Sequence, residues 1–249
     1  MPNQLLFTQF LNAHFAGPTD GLLRLFHIQP ANPSAPISDT LSMELLVVAV
    51  LLVFFLLVRA TLSVEQPNPL QHLAESVHGF VSDQGESIIG HGHETFTGFL
   101  TVLFLFILLC NLAGLIPSLK SPTADIVVPL GCALVTFFFY QYHGIRVHGA
   151  GYVKQFLGPV HVSIWMWLLS PLMLVIEIFS HLARVLSLSV RLYANIFAGD
   201  MVTLSFFSLI PLGIPLIFLG LHLFVSVLQA FIFMALAMSY LSLAVSHDH

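Results

Sequence analysis

Only four charged side chains occur in the 86 residues from His161 to Ser246: Glu177, Arg184, Arg191 and Asp200. Glu177, Arg184 and Arg191 follow one another at intervals of seven. At about 3.6 residues per turn a step of seven drifts by only about 20°, so all three share one helix face. The full face reads Glu177, His181, Arg184, Ser187, Arg191, Asn195, and the remaining faces are mostly Leu, Ile, Val and Phe. If those faces lie in lipid, each charge costs about 2.5–3.5 kcal/mol on insertion scales, and an arginine kept there has a partner or a role. Arg184 has two readings, an internal ion pair with Glu177 that fixes helix packing, or a functional cation. Arg191 has no acidic residue within one turn. Arginine stays protonated at any accessible pH. A permanent, unpaired positive charge in a low-dielectric site suits electrostatic control of a mobile carboxylate on another chain.

His222 and Gln229 lie seven apart on a later apolar segment. An antiparallel hairpin turning near residues 211–215 brings Gln229 back toward Arg191 and Asn195, and His222 toward Asp200. Asp200 with His222 is then a titratable pair able to pass protons near neutral pH. The plainer reading of His222 is a hydrogen-bonded core histidine. His91-Gly-His93-Glu94 has spacing that could ligate a metal, but with no further ligands nearby it reads as a solvated Gly-rich loop, and no metal is assigned. His247-Asp248-His249 reads as a hydrated tail. Cys110 and Cys132 fall inside apolar runs and behave as small apolar side chains.

The elements that must position these groups follow from composition. The chain has 249 residues, 57% apolar and 8% charged. Soluble domains average about 45–50% apolar and about 25% charged, so a water-soluble fold, a disordered chain, a collagenous fibre and a disulfide scaffold are all excluded. Seven Lys and Arg in a net charge of −5 leave no electrostatic footprint for nucleic acid. The fold class is an all-α membrane protein of about five to six helices. Residues 1–40 form an N-terminal extra-membrane or interfacial segment, with Leu5, Leu6, Phe7, Phe10, Leu11 and Phe15 at the spacing of an amphipathic helix and 17–40 a loop. No Lys or Arg occurs in the first fifteen residues and no cleaved targeting segment is read. Residues 41–249 form the membrane domain.

Within that domain, Leu41–Leu62 is the first span. An interfacial helix follows between Val64 and Glu94, on the stripe Leu70, Leu73, Val77, Phe80 and Val81. Further spans run over Phe96–Ile116 and Ile126–Tyr142, then a polar connection over 143–160, with Trp165 and Trp167 placed for an interfacial aromatic belt. Pro171–Ile210 is 40 residues and Leu216–Val245 is 30, or about 60 and 45 Å as helices. Against a hydrocarbon core of about 30 Å, such helices either break or lie strongly tilted as a hairpin. The absence of Gly and Pro from 172–198 favours tilt. If the spans alternate, Arg59, Arg146 and Lys154 outnumber Arg24 and Lys120 and set the C-terminus in the cytoplasm or its equivalent.

The run Ser-Leu-Ser-Val-Arg-Leu-Tyr-Ala-Asn-Ile-Phe-Ala-Gly-Asp at 187–200 resembles the signature of subunit a of the F-type ATP synthases. The family pattern of an essential Arg, Asn four later, then Ala-Gly and an acid is matched by Arg191, Asn195, Ala198, Gly199 and Asp200. Leu-Gln-Ala-Phe-Ile-Phe at 228–233, Asn-Leu-Ala-Gly-Leu-Ile-Pro at 111–117 and the Ser-Pro-Thr-Ala turn at 121–124 add to it. The likeness extends from about Leu41 to His249.

That resemblance implies a non-catalytic, proton-translocating stator subunit, working against a rotating ring of c subunits and joined by the peripheral-stalk b subunits and the rest of the synthase. It implies that Arg191 faces the ring, holds the passing carboxylate ionised and blocks direct leakage between two offset half-channels. Asp200, His222 and Asn111 would line the outer half-channel, with Asn195 and Gln229 beside Arg191. Glu177 and His181, with Arg184 on the same face, would line the inner one. It implies a multi-pass protein of an energy-transducing membrane, the bacterial plasma (inner) membrane. With no Gly-rich phosphate loop, neither a bound nucleotide nor another cofactor is expected. Two rivals from other classes are a haem or quinone oxidoreductase subunit, for which only His181 and His222 lie at membrane depth, and a secondary transporter, for which no internal repeat is visible.

Overall fold

A computed structural model of the chain describes residues 5–25, 36–63, 67–116, 119–149, 164–209 and 213–245. Among them are seven α-helices, one 3₁₀ turn at Pro122–Ala124 and no strand. The helices are α1 (Leu6–Leu25), α2 (Asp39–Ala60), α3 (Pro69–Ile88), α4 (Glu94–Ala113), α5 (Val127–His148), α6 (Ile164–Leu209) and α7 (Ile214–Val245). Four of them, α2, α4, α6 and α7, are long and apolar enough to cross a membrane. The chain is therefore an all-α, multi-pass membrane protein, with seven helices where composition and periodicity led to five or six plus an interfacial segment.

The helix ends follow local chemistry. Ser38 caps α2 by accepting the Leu41 amide at 3.2 Å, Asp39 sits in the first turn and Arg59 in the last. These charges complement the helix dipole at both ends. Among α1–α5, two boundaries differ most from the sequence reading. Helix α1 continues to Leu25 through Gly17 and Pro18, where a loop is expected. Helix α5 runs six residues past Tyr142 to His148 and stops at Gly149, whose φ of 55° is left-handed. Its last turns carry Gln141, His143, Arg146 and His148, which make α5 too polar to count among the four crossing helices. These side chains do not oppose helix formation: the imidazole of His143 bonds the Phe139 carbonyl four residues back, at 3.0 Å. Lys154 and the tail at 247–249 lie outside the described residues, as do the Trp165 and Trp167 side chains.

Helix α6 is one unbroken element of 46 residues, so the alternative of a break is not taken. It starts seven residues earlier than expected and includes Pro171. Helix α7 begins with Pro215 in its first turn, where proline lacks no hydrogen bond a helix could use.

The chain divides into two compact units, each assembled from separate stretches. The first comprises Met1–Ala74, Leu105–Asp125 and Asn195–Ala230. Here Val47 and Leu51 of α2 pack on Cys110, with Phe55, Leu105, Phe106 and Leu109 around them. Only a narrow stripe of α2 is buried, while Leu45, Leu52 and Leu56 face outward, as a lipid-facing helix requires. Helix α1 binds the start of α2 with its polar side chains: Thr8 to Ser42 at 2.6 Å, and the Asn12 amide both donating to the Ile37 carbonyl (3.1 Å) and accepting its N–H (3.0 Å). Its Leu6, Phe10 and Phe15 are left exposed.

The second unit comprises Glu75–Phe104, Ile126–Ala194 and Phe231–His249. Phe99 of α4 stacks on Phe139 of α5 with centroids 3.8 Å apart, and Phe80 of α3 lies near Phe104 and Phe231. Val81 is buried, whereas Leu70, Leu73 and Phe80 of the α3 stripe are exposed.

Candidate functional site

The first unit buries a chain of polar groups. Asp200 of α6 faces His222 of α7, Oδ1 to Nδ1 at 3.6 Å; the His222 side chain is 2% exposed and that of Asp200 22%. The close approach depends on Gly199, where a Cβ would stand 3.3 Å from the His222 ring. Gly114 serves likewise: a Cβ there would lie 2.8 Å from Ser121 Cβ and 3.4 Å from Asp200 Oδ1. Asn111 is fully buried, donates to the Ser226 carbonyl at 3.1 Å and accepts from the Thr123 hydroxyl at 2.7 Å. Thr123 in turn lies 2.9 Å from the Ser121 hydroxyl, which donates to the Cys110 carbonyl at 3.0 Å. Asn195, exposed on α6, donates to Oε1 of the buried Gln229 at 2.8 Å. Most members of this network have a partner, as an apolar setting requires, while among the described residues His222 Nε2 and Ser226 Oγ have none.

A different set stands in the second unit. Glu177 Oε1 is 3.4 Å from His181 Nε2, one turn away on α6. The other ring nitrogen, Nδ1, meets the Tyr140 hydroxyl of α5 at 3.0 Å. The Arg184 guanidinium lies over the Tyr240 ring of α7 at 5.3 Å, within cation–π range. So Glu177 spends its carboxylate on His181 and Arg184 its charge on an aromatic face, rather than on each other as an ion pair.

Arg191 sits in the same unit, on the exposed side of α6 with Leu186, Ser187, Val190 and Ala194. Its Nη2 reaches Ser187 Oγ at 3.5 Å, and among the described residues no carboxylate pairs with it. Along α6 the order is Glu177, His181, Arg184, Arg191, Asn195, Asp200.

A scan against protein-family models matches ATP synthase A chain over residues 41–242. The chain belongs to the ATP synthase A chain family. It is 54% identical over 220 residues to the ATP synthase subunit a of Koribacter versatilis, covering 88% of this chain and 87% of the relative. The subunit a of Solibacter usitatus is 44% identical over 209 residues, covering 84% and 86%, and that of Geobacter sulfurreducens 34% over 216 residues, covering 87% and 86%. The resemblance read from residues 111–117, 187–200 and 228–233 is thus borne out by similarity along most of the chain.

All nine residues singled out by spacing and resemblance lie in described helices: Asn111 in α4; Glu177, His181, Arg184, Arg191, Asn195 and Asp200 in α6; His222 and Gln229 in α7. Asn111, Asn195, Asp200, His222 and Gln229 belong to the first unit, the other four to the second. Ser226, Tyr140 and Tyr240 escaped the sequence reading, and Ser121 and Thr123 entered it only as part of the 121–124 turn, not as site residues. Ser226 is one turn from His222, and Tyr240 is eleven residues from Gln229, which returns a helix to within about 20°; both were within reach of face counting. Tyr140 carries no such signal. His93 bonds Ser82 at 3.1 Å and the Gly90 carbonyl at 3.1 Å, and among the described residues no group of three or more ligand side chains could hold a metal.

Proposed function

We propose that this chain is the stationary proton-conducting subunit of a rotary ATP synthase, non-catalytic itself and binding no nucleotide. The observation that carries the reading is Arg191: a permanent cation on an exposed, largely apolar stretch of α6, with no carboxylate of this chain paired to it among the described residues. Its counter-charge then comes from another chain, a mid-membrane carboxylate on each c subunit of a turning ring. The guanidinium keeps that carboxylate ionised as it passes and repels a proton from crossing directly.

Two polar tracks serve the exchange. Asp200, His222 and Asn111, with Asn195 and Gln229 nearer the arginine, make the outer track, and Glu177 and His181, with Arg184, the inner one. Helices of 46 and 32 residues exceed the hydrocarbon thickness, and a strong tilt lets both lie along the ring. Each proton crossing 100 mV contributes about 2.3 kcal/mol, so ATP formation elsewhere in the complex gathers several crossings. Residues 1–40 form an interfacial segment, 41–249 the conducting domain. The peripheral-stalk b subunits hold the chain still, and bacterial relatives favour the bacterial inner membrane.

Arg191→Ala tests this reading in membrane vesicles carrying the assembled complex. ATP-driven proton pumping and ATP synthesis are both lost while the complex still assembles; coupled pumping at the normal rate would remove Arg191 from its role.

A further inference from the structure

We infer that Tyr140 is a positioning residue of the inner track, acting through His181; the inference rests on the proton-conducting reading above. Both ring nitrogens of His181 are engaged, Nε2 by Glu177 at 3.4 Å and Nδ1 by the Tyr140 hydroxyl at 3.0 Å. Their exposure is graded: the Glu177 side chain is 40% exposed, that of His181 10%, and Tyr140 is buried at 3%. The carboxylate is the exposed end and the tyrosine the buried end.

The chemistry of the partner matters because His181 must change charge to serve as a relay. A neutral imidazole carries one N–H, and its other nitrogen is a pure acceptor; an imidazolium donates from both. A backbone carbonyl at Nδ1 would satisfy only the N–H form, and an N–H donor only the bare form. A hydroxyl satisfies both, since it donates its hydrogen to a bare Nδ1 and offers its oxygen to Nδ1–H. With Glu177 protonated, the ring keeps its hydrogen on Nδ1, bonded to the Tyr140 oxygen, and turns the Nε2 lone pair to the acid. The proton then leaves Glu177 Oε1 for His181 Nε2, giving a carboxylate and an imidazolium whose two N–H groups are both bonded. The reverse transfer restores the start. When the ring hydrogen instead sits on Nε2, facing the ionised Glu177, Tyr140 donates to Nδ1. No state leaves a buried nitrogen without a partner, which in apolar surroundings is the costly outcome.

Aromatic and cationic groups surround the pair. Arg184 stands over the Tyr240 ring, and Phe137 and Tyr140 present ring faces and edges to His181 at centroid distances of 6.0 Å. Tyr140→Phe keeps the ring that packs on His181 and removes only the hydroxyl.

The test measures ATP-driven pumping, normalised to assembled complex, in vesicles carrying Tyr140→Phe, His181→Ala, the double variant and Arg191→Ala. Tyr140→Phe is expected to slow pumping by about three- to tenfold, the loss of one hydrogen bond read as a rate. In the His181→Ala background the same substitution is expected to change nothing, because its effect passes through the imidazole. Pumping at the wild-type rate in Tyr140→Phe, or an equal loss with and without His181, overturns the inference. Arg191→Ala separates the two readings: if it pumps normally the proton-conducting assignment falls, whereas if it is dead and Tyr140→Phe is normal, only the role of Tyr140 falls.

Discussion

Gly199 and His222 show how a single missing carbon positions a titratable group. In an open helix, replacing glycine with alanine favours the helix by about 1 kcal/mol. At Gly199 the new methyl would press on three atoms of the His222 ring at 3.3–3.4 Å. Gly199→Ala is therefore expected to slow proton pumping, since the buried His222 ring must shift to admit the methyl. Pumping that stays normal would show that the 3.6 Å approach of Asp200 to His222 is not used. Asp200→Ala is expected to slow pumping more mildly than Arg191→Ala abolishes it, because on the proposed reading a half-channel acid sets access while the arginine sets coupling; an unchanged rate in vesicles would take Asp200 off the path. At this scale the sequence spoke clearly wherever helical spacing applied. The seven-residue steps from Glu177 to Arg191 and from His222 to Gln229 place their members, and the pairing of Asp200 with His222 follows from the hairpin. Of the partners contributed from outside that hairpin, Asn111 was reached through the family motif and not through spacing. Tyr140 on α5 and Thr123 in the 3₁₀ turn meet their partners across 41 and 12 residues of chain, and no periodicity on one helix encodes such a meeting.

Among the elements, α1 depends on α2 through a few polar contacts rather than a core. Asn12 forms two hydrogen bonds with the Ile37 peptide, at 3.0 and 3.1 Å, just before the Ser38 cap of α2. Asn12→Ala leaves a buried amide and carbonyl unpaired, at a cost of about 1–3 kcal/mol. The expected signature is faster hydrogen exchange at the Ile37 amide, with exchange inside α2 unchanged; protection of Ile37 equal to wild type would contradict it. Helix α1 also continues to Leu25 where a loop was expected. Gly17 and Pro18 read as breakers when only propensity is weighed, and nothing local announces that the helix runs on. Helix α5 was likewise expected to end too early: polarity ended the predicted span at Tyr142, although His143 and His148 bond carbonyls one turn back and the helix continues to His148. Length was more legible than boundary. The unbroken α6 follows from the lack of Gly and Pro over 172–198.

For the whole molecule, a composition of 8% charged residues assigns most of the surface to lipid, and on the proposed reading the few charges left in the long helices form the proton path. Outward-facing Leu, Val and Phe cover α2, α6 and α7, and a purely lipid-facing exterior has no use for Arg191 among them. The central claim is that this side of α6 is where the rotor passes. Cysteine cross-linking in the assembled synthase tests it most directly. Ser187→Cys and Val190→Cys, both on the exposed side of α6, are paired in turn with single cysteines on the outer helix of the c subunit. Leu52→Cys, exposed on α2, provides the comparison. Oxidation is expected to give a disulfide-linked product between this chain and a c subunit from the α6 positions, and to stop ATP-driven rotation until a reductant is added. A product from α2 with none from residues 187 and 190 would place the rotor against another face and contradict the account.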